Sequence, residues 1–90
     1  MPLIQFTSAL KRFYPHLKPT SVEAGNIKEV LVILESSYPN ITDYLMDEHG
    51  ALRNHINIFI AGKMIADREN LSDTINEKDE ILIFQALSGG

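Results

Sequence analysis

The chain of 90 residues contains no cysteine. That absence excludes a disulfide framework, a thiolate nucleophile and a cysteine-ligated metal cluster. Basic residues are also few: 8 lysines and arginines stand against 12 aspartates and glutamates, for a net charge of −4. They form no run, so the electrostatic footprint that holds a phosphate backbone is missing and no nucleic-acid partner is expected. No apolar stretch approaches the ~20 residues needed to span a bilayer. The opening Met1-Pro2-Leu3-Ile4-Gln5-Phe6 lacks the length and basic flank of a signal peptide. The expectation is a cytoplasmic protein with no membrane partner, in which the sequon Asn40-Ile41-Thr42 is coincidental. Of His16, His49 and His55, no two stand at i, i+4 on an expected helix, and the carboxylates do not converge at ligand spacing. No metal site and no bound cofactor are expected.

What is present is ordinary for a globular domain: 44% hydrophobic and 22% charged residues, with no low-complexity block. The length fits one domain, which buries only about 60–65% of the surface its unfolded chain exposes. Such a chain builds one modest core but no deep cleft with a separate binding lobe.

Periodicity places the elements. Leu3 to Thr7 reads as a strand, with Ile4 and Phe6 on one face. Ser8 to Pro19, broken by Pro15 and Pro19, reads as a connection anchored by Leu10. Ser21 to Ala24 is a second strand, and Gly25 turns the chain. Asn26 caps the clearest helix, with Glu29 placed to reach back to the cap. Ile27, Val30, Leu31 and Leu34 then fall on one stripe, extended by Tyr38 and stopped by Pro39. Ile41 to Met46 suits one short turn with Ile41 and Leu45 inward, and Asp47 to Gly50 a loop. Ile56 to Ile60 alternates as a strand. Ala61-Gly62-Lys63 turns it, and Met64-Ile65 pairs back briefly. Leu71 is a lone anchor in a polar stretch. Ile81 to Ala86 is the last strand, with Ile81 and Ile83 inward and Leu82 and Phe84 outward.

One amphipathic helix over a mixed sheet of four to five strands is an α+β two-layer domain. The helix supplies the crossover that makes the first and last strands parallel and central, which is the β-grasp topology. Residues 1–87 form this domain, and 88–90, Ser88-Gly89-Gly90, form a flexible tail.

The order of elements and the final Gly89-Gly90 resemble the ubiquitin-like sulfur carriers, a family that includes the thiamine-pathway carrier and the small subunit of molybdopterin synthase. The likeness is strongest to carriers serving cysteine or thioacid biosynthesis. It lies in three stretches: Tyr38 to Asp47, Leu52 to Ile60, and Asp79 to Gly90. The chain departs from the family pattern at Lys78, where glycine is usual, at Gln85, where proline is common, and at Asn54, where a second basic residue often follows Arg53.

The resemblance implies the chemistry, in which the chain is a protein co-substrate and not itself an enzyme. An E1-like adenylating enzyme activates the Gly90 carboxylate with ATP and a metal ion that belong to that partner. A persulfide sulfurtransferase then leaves a thiocarboxylate, which feeds a sulfur-acceptor biosynthetic enzyme. Gly90 is the reacting residue, and Gly89 threads the channel because a residue without Cβ lets the backbone pass closely. Partner binding falls on Phe59, Leu82, Phe84, Leu87 and Arg53. Strand parity independently sets Phe59, Leu82 and Phe84 opposite the helix-covered face, where they form a docking patch or lie beneath the segment from Ser8 to Pro19. The acidic clusters at Asp47-Glu48 and Glu77 to Glu80 suit a solvated face or a basic partner surface. Two other outcomes share this chemistry: a subunit of molybdopterin synthase, and a ubiquitin-like modifier joined to lysine through Gly90.

Overall fold

A computed structural model describes residues 1–12 and 14–86. The tail expected at 88–90, and with it Leu87, Gly89 and Gly90, lies outside the described residues. The elements follow in the order β1 (Leu3–Phe6), α1 (Ser8–Lys11), β2 (Thr20–Ser21), α2 (Ile27–Ser37), α3 (Ile41–Leu45), β3 (Ile56–Ile60), β4 (Lys63–Met64) and β5 (Glu80–Gln85). Five strands make one sheet in the order β2-β1-β5-β3-β4. β1 and β5 are parallel and adjacent, and the other pairs are antiparallel. This is the mixed, helix-covered sheet of the β-grasp.

The core forms where the two periodicities meet. Ile4 and Phe6 of β1, Ile56 and Ile58 of β3, and Ile81 and Ile83 of β5 face α2, which returns Ile27, Val30, Leu31 and Leu34. Leu71 seals the far end in a left-handed conformation, φ 57°. Its carbonyl accepts from the Lys28 N–H and that of Asp73 from the Ile27 N–H, so the exposed donors of the first helical turn are satisfied. The Asn26 side chain accepts from the Glu29 N–H at 2.8 Å. Glu29 reaches back one residue further than expected, accepting from the Gly25 N–H at 2.6 Å.

Boundaries differ from the sequence reading at β1, β2, β4 and β5, and α2 and α3 each end one residue earlier, at Ser37 and Leu45. The connection after β1 contains α1, in which Ala9 and Leu10 are buried. Thr7 leaves the strand because its carbonyl accepts from Leu10 and Lys11. β2 is shorter and starts earlier, at Thr20–Ser21, because Gly25 and Asn26 pair with the 74–75 segment instead. The turn after β3 is only Ala61-Gly62, both at positive φ, 50° and 85°. That two-residue loop sets Lys63 opposite Ile60 and moves β4 one residue earlier. β5 likewise begins and ends one residue earlier, at Glu80, paired with Leu3, and at Gln85.

Three carboxylates tie loops to this frame. Glu35 on α2 accepts from the Asn40 N–H at 2.7 Å and from the Thr42 hydroxyl and N–H at 2.7 and 3.0 Å, capping α3 from outside its own sequence. Asp67 accepts from the Ser72 hydroxyl at 2.5 Å and the Asn70 N–H at 2.9 Å. Asp47 accepts from the His49 and Ala51 N–H groups at 2.8 and 3.1 Å. Those hydrogen bonds favour the charged form and hold all three below the usual carboxylate range. Between the folded and unfolded values the unfolded chain binds more protons, so stability rises with pH through that window. Melting temperature is expected to be level near neutral pH and to fall as pH drops below about 4, the range of unfolded carboxylates. Replacing all three carboxylates with amides should flatten that decline, and an unchanged acid limb would place the linkage elsewhere.

Candidate docking face and tail exit

The face of the sheet away from α2 can be read row by row from the register. Gln5, Leu82, Phe59 and Met64 stand side by side across β1, β5, β3 and β4. Phe84 and Asn57 form the next row toward the end of β5. Phe59, Leu82 and Phe84, which parity set outward, are half-buried and converge here. The Phe59 and Phe84 rings meet edge to face, centroids 6.1 Å apart at 88°. With Gln5, Gly62 and Glu80 they line a hollow of about 540 Å³.

No described residue of the Ser8 to Pro19 segment lines that hollow. Ala9, Leu10 and Leu17 are buried in the core instead. Tyr14 turns toward α3, its ring against Tyr44 at 5.8 Å and its hydroxyl donating to the Asn40 carbonyl. Among its described residues, then, that segment leaves the three half-buried side chains uncovered, in a patch of the kind that marks interaction sites.

Arg53 lies apart from this patch, in the loop before β3. Its Nε and Nη2 donate to the Asp43 carbonyl at 3.3 and 3.0 Å. Two residues on, the His55 carbonyl accepts from the Ala86 N–H at 2.8 Å, which sets Arg53 near the end of β5. Two members of the face escaped the sequence reading. Met64 is 54% exposed beside Phe59, and a two-residue loop at Ala61-Gly62 is the signal that would have placed it there. Arg68 donates to the Asn57 side chain at 2.6 Å and to the Arg53 carbonyl at 2.7 Å, a contact no periodicity foretells.

The departure at Gln85 has a visible consequence. Its N–H faces β1 and donates to the Thr7 hydroxyl at 3.2 Å, outside the ladder with β3. Proline fits a strand at such a place, because no ladder bond is lost. Of the acidic clusters, Asp47 and Asp79 hold turns, while Glu80 accepts from Gln5 at the edge of the hollow. His16, His49 and His55 are dispersed, and no group of three or more histidines and carboxylates that could hold a metal occurs among the described residues. Among them, too, no helix is long and apolar enough to cross a membrane. A second hollow, about 390 Å³, lies on the helix side between α2 and the 46–50 loop.

Known proteins share this architecture. A chain of the Amycolatopsis orientalis BexX/CysO complex is 19% identical, with 100% of both chains covered and a TM-score of 0.83. Mycobacterium tuberculosis CysO is 22% identical, with 97% of this chain and 100% of that one covered and a TM-score of 0.80. The small archaeal modifier protein 1 of Methanosarcina acetivorans is 23% identical, with 98% and 94% covered and a TM-score of 0.76. No curated protein matches the chain significantly. The ThiS family model matches residues 5–90, through the terminal glycines. With the β-grasp sheet and that match over nearly its whole length, the chain belongs to the ThiS family of ubiquitin-like sulfur carriers.

Proposed function

We propose that this chain is a cytoplasmic protein co-substrate that carries sulfur on the carboxylate of Gly90. The observation that carries the reading is the family match running through Gly89-Gly90. The apolar hollow along the strand that leads into the tail supports it.

The Gly90 carboxylate attacks the α-phosphorus of ATP in an E1-like partner, whose metal ion accompanies the nucleotide, and pyrophosphate leaves. The terminal sulfur of a sulfurtransferase persulfide then attacks the acyl carbon and AMP leaves. A thiol cleaves the resulting sulfur–sulfur bond and releases the thiocarboxylate. That group supplies sulfur to a biosynthetic acceptor enzyme. Glycine at both terminal positions leaves the acyl carbon uncrowded and the backbone free to lie close to the channel walls. The chain's own contribution is presentation: a docking face, Arg53 apart from it near the end of β5, and a reactive terminus.

Conjugation to lysine through Gly90 is the second reading, favoured by the likeness to a small archaeal modifier protein. Both readings share the adenylate and separate after it. Expression with the cognate activating enzyme should give sulfur on the free chain, whereas a ladder of lysine conjugates would favour the modifier.

The docking face has its own test. Phe84→Ala should weaken binding to the activating enzyme at least about tenfold, since aromatic anchors dominate interface energies. Its cost to stability should stay near ~1 kcal/mol, the scale of the lost Phe59 ring contact. Titration calorimetry and a thermal melt on one preparation check both; unchanged affinity with a large stability loss would make Phe84 a core residue.

A further inference from the structure

Three elements converge on the last two described residues. The Tyr44 hydroxyl, on α3, donates to Gln85 Oε1 at 2.7 Å. Thr7, at the end of β1, holds β5 on both sides of Phe84: its N–H donates to the Ile83 carbonyl and its hydroxyl accepts from the Gln85 N–H. The His55 carbonyl, at the start of β3, accepts from the Ala86 N–H. Tyr44 also braces this last contact, its ring standing edge-on to His55 at 6.2 Å and 87°. Tyr14 also packs edge to face against Tyr44 at 5.8 Å, so two ring neighbours hold the side chain that carries the hydroxyl.

We infer that Tyr44, acting through Gln85, is a positioning residue that fixes the direction in which the chain leaves the sheet. The physical need is plain. Beyond Ala86 four residues remain before the reacting carboxylate, spanning at most roughly 13–14 Å when extended. A small change of angle at the root is multiplied along that length, and an ångström of misplacement at a reacting atom can cost orders of magnitude in rate. A strand end held only by ladder bonds frays. Here the last rung is reinforced from the helical layer by a side-chain bond between residues 41 positions apart. Tyr44 lies on the helix side, because Gln85 shares strand parity with the buried Ile81 and Ile83. A partner seated on the Phe59–Phe84 face leaves this bond in place.

The kinetic arm of the test rests on the sulfur-carrier reading; the exchange arm does not. Tyr44→Phe and Gln85→Leu each remove the bond while keeping shape. Amide exchange at Gln85 and Ala86, followed by NMR, should speed up about tenfold in each variant and not at Ile83. The double variant should show no further increase, and Gln85→Glu, which keeps the acceptor, should stay slow. Sulfur loading should follow the same pattern, with kcat lower by about tenfold and KM for the carrier unchanged. Unchanged exchange at Ala86, additive losses in the double variant, or a rise in KM at constant kcat would each overturn the inference. A wild-type chain that takes up no sulfur would remove the carrier reading and leave the exchange data to decide the latch.

Discussion

A chain shortened by Gly90, or lengthened by one residue beyond it, is expected to gain no sulfur while melting at the wild-type temperature. Loading should fall at least about a hundredfold, because the attacking carboxylate is either moved back by one residue or absent from the reacting position. Stability should hold because Ile81 and Ile83 are the last buried side chains of the described core, and a chain terminus contributes little to a core. The same preparation should still bind the activating enzyme through Phe59, Leu82 and Phe84. Affinity without loading would separate docking from chemistry. Sulfur on the new terminus of the shortened chain would show that Gly90 has no special role.

Leu34→Ala should remove a large share of the folding free energy. The side chain is 1% exposed and packs between α2 and the sheet. Such truncations cost ~2–5 kcal/mol through lost transfer energy and the cavity left behind. A domain of this size holds only about 5–15 kcal/mol in all. Each kcal/mol moves the midpoint by roughly 4–8 °C, so a fall of about 10 °C or more is expected. Leu31→Ala, on the same stripe, should behave alike. Lys63→Ala on the exposed strand β4 should cost less than about 0.5 kcal/mol. Equal effects at Leu34 and Lys63 would mean that the helix presents a different face to the sheet.

What could be read before the structure was known follows physical lines. α2 was legible because a cap, a capping acid and four apolar residues at helical spacing all agree. β3 and β5 were legible because isoleucines alternate with residues of another kind, and a two-residue period sets faces without further information. That parity placed Phe84 outward, beside Phe59.

α1 was not legible. A helix of four residues has no periodic signal, and it forms because tertiary packing buries Ala9 and Leu10. β2 and β4 are two residues each, too short to show alternation, so their position depends on partners elsewhere in the chain. The one-residue error at the β3–β4 turn hid Met64 from the docking face, because a register slip of one residue reverses every side chain.

The site divides in the same way. The apolar patch came from parity, but the contacts that surround it, Arg68 to Asn57 and Tyr44 to Gln85, join residues whose spacing carries no pattern. The role of the Gly90 carboxylate came from resemblance alone. The chemistry proposed for it asks for no acid, base or nucleophile from this chain, so side-chain spacing carries no signal of it.

The most direct measurement is the mass of the chain after incubation with its activating enzyme, ATP and a persulfide source, with fragmentation to locate any change. One oxygen exchanged for sulfur in the fragment ending at Gly90, and lost again on transfer to an acceptor, is the predicted result. An unchanged terminus, or sulfur found on any other residue, would contradict the account.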